Sequence, residues 1–225
     1  MNEVIKLILI AIGAYALGNI NPAIIIGKLH HIDIRKEGSG NAGMTNTIRV
    51  IGLGAGIAVF VIDVLKAFIA VKLGILIAGD LSGGMVAFAA VVLGHVYPAL
   101  YGFKGGKGVA ASLGAALALN WQSALAAVAI AGLSFLISGK RMSVASITAV
   151  ICYPLLLSLL QDDKRLVYFG LAAAVFLVIQ HTANIRRIAK GEEEALTIGH
   201  ADQSGINDSN NDEDRRHSEG KEDTE

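Results

Sequence analysis

The chain has 225 residues, 53% of them hydrophobic and 17% charged, with 19 basic residues matching 19 acidic ones. A mean hydropathy of +0.56 excludes an ordinary soluble domain and is what a chain with several membrane spans has. The zero net charge conceals a division: residues 192–225 hold 12 acidic and three basic residues, so 1–191 hold 16 basic and 7 acidic ones and carry +9.

Residues 1–191 read as one polytopic membrane domain. Residues 192–225, acidic and with almost no apolar residue after Ile206, read as a disordered cytoplasmic tail. Cys152 is the single cysteine, so no disulfide or thiolate metal cluster forms within one chain. Neither a metal, a cofactor nor a nucleic-acid partner is expected.

Seven apolar runs appear, at about 4–26, 52–78, 84–100, 109–119, 122–138, 143–160 and 166–183. Most approach the roughly 20 residues that a spanning helix needs, and 109–119 is the short one. The first runs too long for a cleaved signal and lacks an A-x-A-like site, so it reads as the first span. Basic residues cluster at 28–49, 104–107, 140–141 and 186–190. With seven spans and the N-terminus outside, all four clusters face the cytoplasm. Removing 109–119 as a crossing would move 140–141 and 186–190 outside, so the charges favour a short or tilted fourth crossing. The predicted class is an all-α integral membrane protein of about seven transmembrane helices, with a cytoplasmic C-terminus. Loops 28–49, 101–108, 139–141 and 184–193 then share one face. Small residues, such as Gly54-Ala55-Gly56 and Gly114-Ala115-Ala116, suit close helix packing.

Polar residues also lie inside the spans. Asn19 and Asn21 precede Pro22 and predict a helix irregularity. Asp63 and Lys66, three apart in the second run, read either as a structural pair or as support for a site.

Three constellations carry chemistry. The first is Gly38-Ser39-Gly40-Asn41-Ala42-Gly43-Met44-Thr45-Asn46-Thr47-Ile48-Arg49, whose hydroxyls, amides and guanidinium suit phosphate oxygens. Its plainer reading is a capped turn with Arg49 as a topology anchor. The second, Gly94-His95-Val96-Tyr97-Pro98 through Lys104-Gly105-Gly106-Lys107-Gly108, suits phosphate cradling by glycine amides and lysines at a helix start. Gly108 stands where the GxxxxGK[ST] nucleotide loop needs Ser or Thr, so ATP chemistry is excluded. Its plainer reading is a hairpin whose lysines meet lipid headgroups. The third joins Arg141-Met142-Ser143 to His181-Thr182-Ala183-Asn184-Ile185-Arg186-Arg187 and on to Glu193. Helical spacing places His181, Asn184 and Ile188 on one face.

Together these motifs resemble the bacterial acyl-phosphate:glycerol-3-phosphate acyltransferase (PlsY) family. Its first motif, Ser-Gly-Asn-x-Gly-x-Thr-Asn-x-x-Arg, is matched by Ser39 through Arg49. Its second, Gly-His-x-x-Pro-x-x-x-x-Phe-x-Gly-Gly-Lys-Gly-Val-Ala, is matched by Gly94 through Ala110. Its third, a basic-Ser segment with His-x-x-Asn-Ile-x-Arg-x-x-x-Gly-x-Glu, is matched by Arg141 to Ser143 and His181 through Glu193. The resemblance covers about 1–193. Ala111 and Met142 depart from the family's usual Thr and aromatic residue.

The resemblance implies a bacterial plasma-membrane enzyme with a cytoplasm-facing site, catalysing the first acylation of phospholipid biosynthesis. A fatty acyl group would pass from acyl phosphate to the sn-1 hydroxyl of glycerol 3-phosphate, giving lysophosphatidic acid and phosphate. Ser39, Arg49, His181 and Asn184 become the expected catalytic residues. Ser39, Asn41, Thr45, Asn46, Arg49, Lys104, Gly105, Gly106, Lys107, Arg141, Ser143, Asn184 and Glu193 become the expected phosphate-binding set. The expected partners are the two substrates, membrane lipid and an upstream enzyme that forms acyl phosphate. His-x4-Asp is absent, so the substrate's own phosphate is the simplest proton acceptor. An acyl-Ser39 intermediate and His181 as base are the alternatives. The rival from another class is a membrane carrier of phosphate-bearing anions. Such carriers show repeats with interrupted helices at the midplane, whereas these motifs share one face.

Overall fold

The computed structural model describes residues 2–197, so 198–225 of the expected tail lie outside the described residues. All regular structure among the described residues is helical, in chain order α1 (Glu3–Asn19), α2 (Pro22–Leu29), α3 (Met44–Val50), α4 (Leu53–Ala78), α5 (Leu81–Val96), α6 (Val109–Leu119), α7 (Trp121–Ile137), α8 (Met142–Leu160), α9 (Lys164–Gln180) and α10 (Thr182–Lys190). Three stretches are long and apolar enough to cross a membrane: Glu3–Leu29, Leu81–Tyr101 and Met142–Leu160. The pair α9 and α10 is a fourth, bent by 61°. α4 has the length at 26 residues but carries Asp63, Lys66 and Lys72. α6, at 11 residues, spans about 16 Å at 1.5 Å per residue, roughly half of the hydrocarbon layer.

Local chemistry explains the boundaries. The first apolar run divides at Ile20: Asn21 caps α2 by accepting from the Ile24 N–H at 3.1 Å, and Pro22 opens that helix without needing a donor. Asn120 alone separates α6 from α7 and caps α7 through the Ser123 N–H at 2.9 Å. The last run does not continue straight through His181. In a straight helix the Leu177 carbonyl would accept the His181 N–H, but the His181 ring Nδ1 occupies it at 2.8 Å. The His181 N–H turns to Val178 at 2.9 Å, and the chain bends there. The bend leaves the expected face intact. His181 caps α10, its carbonyl accepting the Ile185 N–H at 2.8 Å. His181 and Asn184 are buried and Ile188 half-buried, while their neighbours 182, 183, 185 and 186 are exposed.

Packing is close where small residues meet. A Cβ on Gly94 would overlap the Tyr15 carbonyl, and one on Gly114 the Val64 carbonyl, which draws α5 against α1 and α6 against α4. Gly54, expected to pack likewise, has open space around it. The outer faces of α1 and α4 stay apolar, with Ile8, Ile12, Leu65, Leu73 and Leu76 exposed, as lipid-facing surface requires. Residues 192–197 run back along the helices instead of leaving them: the Leu196 N–H donates to the Lys140 carbonyl at 2.9 Å, and Glu193 is buried.

Candidate functional site

The segment between α2 and α4 is held by Asn46, wholly buried in α3. Its Oδ1 accepts from the Ser39 N–H at 2.8 Å and the Ser39 hydroxyl at 3.1 Å, while its Nδ2 donates to the carbonyls of Ile34 at 2.9 Å and Glu37 at 3.0 Å. Every bonding position of the amide is used, so Asn46 shapes the Ser39 loop and has none left for a ligand. Gly38 makes that turn possible at φ +56°, where a Cβ would also crowd the Asn46 oxygen.

The second segment leaves α5 through Pro98 and a short turn at Ala99–Tyr101, then doubles back. Gly105 and Gly106 donate their N–H groups to the carbonyls of Val96 at 3.0 Å and His95 at 3.2 Å. That corrects one expectation: these two amides fold the loop on itself and are not available to cradle a phosphate. The glycines are needed for contact, since a Cβ on Gly105 would overlap the His95 carbonyl and one on Gly106 the His95 ring. The available donors here are the first amides of α6, which no intrahelical partner satisfies, and the lysines.

Lys107 connects this loop to the third constellation. Its ammonium donates to Asn184 Oδ1; Asn184 Nδ2 donates to Ser143 Oγ at 2.6 Å and to Glu193 Oε1 at 2.9 Å. Ser143 Oγ also donates to Glu193 Oε1, and Arg187 Nε reaches Glu193 Oε2 at 2.8 Å. Burial pushes the Glu193 carboxyl up, but the hydrogen bonds from Ser143, Asn184 and Arg187 and the Arg187 charge outweigh it and hold the group below the usual carboxylate range. Glu193 therefore stays ionised and orients Asn184 toward Lys107. Burial, with the charges of Arg187 and Arg49 and against that of Glu193, pushes the Lys107 ammonium down to about 8.

Arg49 stands at the edge of this network. Its Nη2 donates to the carbonyls of Glu194 at 3.4 Å and Ala195 at 3.3 Å, and Nη1 lies 3.4 Å from the Glu194 carboxylate. Its Nε is buried with no partner among the described residues, an unspent donor beside two other cations. Arg141 binds backbone: Nε donates to the Glu193 carbonyl at 2.9 Å and Nη1 to the Ser138 carbonyl at 2.8 Å.

Two cavities flank the start of α6. A polar one of about 310 Å³ is lined by Ser39, Gly40, Asn41, Val96, Tyr97, Lys104, Gly105, Gly106, Lys107 and Gln180. An apolar one of about 370 Å³ runs among α4 to α9, past Met44, Val109, Ser112, Ala131, Met142, Ala149 and Tyr153. Lys107 borders the first and Val109 the second. The expected residues Ser39, Asn41 and Lys104 to Lys107 thus share a cavity, with Asn184, Ser143 and Glu193 behind Lys107. Thr45 lines neither cavity. His181 is buried, and its Nδ1–H bond to Leu177 leaves Nε2 as the acceptor of a neutral ring.

Sequence reasoning left Arg187, Tyr97 and Gln180 out of the site. Arg187 lies one turn after Asn184 on α10, a spacing that the third motif displays. Gln180 donates to the Tyr97 hydroxyl at 3.0 Å across two helices, which no spacing reveals.

Residues 8–191 match the family model described as "Glycerol-3-phosphate acyltransferase". The chain belongs to the glycerol-3-phosphate acyltransferase family. It is 41% identical over 190 residues to the glycerol-3-phosphate acyltransferase of Thermoanaerobacter sp. (strain X514), covering 84% of this chain and 95% of that one. With the enzyme of Clostridioides difficile (strain 630) the identity is 39% over 204 residues, covering 86% and 97%. Two crystal structures of PlsY (YgiH), an integral membrane glycerol 3-phosphate acyltransferase, are similar at 34% identity. Its glycerol 3-phosphate form superposes with a TM-score of 0.79 over 85% of this chain and 96% of that one. The lysophosphatidic acid form gives 0.76 over 84% and 94%. The acyltransferase is thus an integral membrane enzyme, helical throughout the regular structure of its described residues, and the anion-carrier reading falls away.

Proposed function

We propose that this acyltransferase uses a fatty acyl phosphate as donor and acylates the sn-1 hydroxyl of glycerol 3-phosphate, releasing lysophosphatidic acid and inorganic phosphate. The observation that carries the proposal is the pair of cavities. One is polar and lies beside Lys104 and Lys107; the other is apolar, and Val109, two residues after Lys107 at the start of α6, lines it. An acyl phosphate has one end for each. Lys107, the Arg49 Nε and the first amides of α6 supply positive potential for two phosphates held close together. Cationic groups also stabilise the departing phosphate and the charge that develops on the carbonyl oxygen.

The transfer is direct. The sn-1 oxygen attacks the acyl carbonyl carbon, the carbon–oxygen bond to phosphate breaks, and the hydroxyl proton passes to a phosphate oxygen of the substrate. The Ser39 hydroxyl donates to the Asn46 amide oxygen, which is no base, so that bond does not activate it as a nucleophile. Ser39 is assigned to substrate binding. His181, with Nε2 unprotonated, remains the alternative acceptor for the proton.

The proposed topology has seven crossings with the N-terminus outside, in a bacterial plasma membrane. It places all three motif segments at the cytoplasmic face, where glycerol 3-phosphate and acyl phosphate from an upstream enzyme arrive. The convergence of Lys107, Asn184, Ser143 and Arg49 on neighbouring contacts supports a single face. The test supplies detergent-purified protein with glycerol 3-phosphate and either acyl phosphate or acyl-CoA. Lysophosphatidate formed only from acyl phosphate supports the reading; equal product from acyl-CoA overturns it.

A further inference from the structure

One cluster of buried charge lies outside both cavities. Asp63 and Lys66, one turn apart on α4, are sealed inside the helices with Nζ 2.7 Å from Oδ1. His95, in the last turn of α5, places Nδ1 3.1 Å from that Nζ and 3.2 Å from that Oδ1. Burying such a pair is not by itself stabilising, because loss of hydration offsets the attraction, and apolar side chains of similar volume fill the space as well. Its contacts indicate what it does instead.

Lys66 donates to the carbonyls of Gly18 and Ile20, acceptors freed where α1 ends. Beside them, Asn19 Oδ1 accepts the Leu100 N–H at 3.2 Å from the lysine-bearing loop, and Asn21 Nδ2 reaches the Ala42 carbonyl at 3.5 Å in the Ser39 loop. The His95 carbonyl accepts the Gly106 N–H at 3.2 Å. A Cβ built on Gly106 would meet both His95 Nε2 and, at 2.6 Å, the Ala42 carbonyl. One edge of the His95 ring therefore bears on the ion pair and the other on the point where the two loops touch.

We propose that Asp63, Lys66 and His95 are positioning residues that set the spacing between the Ser39–Arg49 and Lys104–Lys107 segments. None of the three lines the polar cavity. They act through the α1 terminus and through Gly106. The inference rests on the reading that Lys107 binds substrate phosphate.

The test compares full-length protein carrying Asp63→Val with Lys66→Met, an uncharged apolar pair, with Asp63→Asn, His95→Leu and His95→Asn. Asn at 95 brings an amide nitrogen to the place of Nδ1. Each is checked by size-exclusion and thermal unfolding, then titrated with glycerol 3-phosphate. The expected result for the folded pair is a KM raised about tenfold or more with kcat within about threefold, because the binding geometry and not the chemistry is disturbed. His95→Asn recovers most of what His95→Leu loses. If the pair does not fold, Asp63→Asn is judged by the same KM–kcat criterion. Wild-type KM in the folded variants, or equal losses at His95→Asn and His95→Leu, overturns the inference. Lys107→Met separates the two claims: an unchanged KM there removes the phosphate reading itself, whereas a raised KM there with wild-type behaviour of the pair removes only the positioning role.

Discussion

The Lys107 ammonium provides a pH test of the whole site. Burial and the neighbouring Arg187 and Arg49 charges, offset in part by Glu193, bring it to about 8 in the free enzyme. It is charged below that pH and neutral above it. If its charge holds a substrate phosphate, kcat/KM, which reports the free enzyme, is level near pH 7 and declines above pH 8. A single group titrating at 8 is roughly 90% protonated at pH 7 and roughly 1% at pH 10, so the fall approaches about two orders of magnitude. A bound phosphate dianion favours the charged form, so the break in kcat lies at higher pH than that in kcat/KM. The assay is initial-rate lysophosphatidate formation from pH 6.5 to 10, with wild type and Lys107→Arg side by side. The guanidinium stays charged throughout, so the alkaline break should vanish in the variant. A flat wild-type profile, or an unchanged break in an active Lys107→Arg enzyme, refutes the assignment.

Three further outcomes are expected. Gly106→Ala forces a Cβ against the His95 ring and the Ala42 carbonyl and should cost about 1–3 kcal/mol of stability, read as a lower unfolding temperature together with a raised KM. Glu193→Gln removes the charge that Arg187 pairs with and puts an amide donor among donors; kcat/KM should fall by at least about tenfold, since a charged hydrogen bond contributes about 1.5–3 kcal/mol. Because the Glu193 carboxyl sits below the usual range, wild-type activity should hold down to about pH 5 as far as this group is concerned. Ala149→Phe, which fills the apolar cavity, should lower the turnover of long-chain acyl phosphates more than short ones, measured with a chain-length series.

Much of the helical framework could be read directly from apolar runs. The run 109–119 matches α6, and 52–78 ends with α4. The breaks were harder. Asn21 and Pro22 announced theirs through capping chemistry, but the bend at His181 depends on a ring nitrogen taking a carbonyl from the backbone, which periodicity cannot show. The site followed the same division. Lys107 and Asn184 stood out as residue types, and the structure joins them. Asn46 and Arg141 stood out equally, yet Asn46 Nδ2 and the Arg141 guanidinium donate to backbone carbonyls and Asn46 Oδ1 accepts from Ser39, an outcome set by three-dimensional neighbours. The glycine amides gave the least reliable signal. Glycine permits both a ligand cradle and a tight self-contact, and here Gly105 and Gly106 make the self-contact. The return of Glu193 into the helices was visible only as the end of a motif, inside a segment whose charge otherwise read as solvated tail.

The central claim, direct transfer of an acyl group between two phosphate-bearing substrates in one site, is tested most directly by product stoichiometry. Purified enzyme is mixed with acyl phosphate, with and without glycerol 3-phosphate, and inorganic phosphate and lysophosphatidate are followed together from the first turnover. The account predicts one phosphate for each lysophosphatidate and no phosphate burst when glycerol 3-phosphate is withheld. A burst of phosphate without the acceptor, with acyl group retained on the protein and lost in Ser39→Ala, would contradict it.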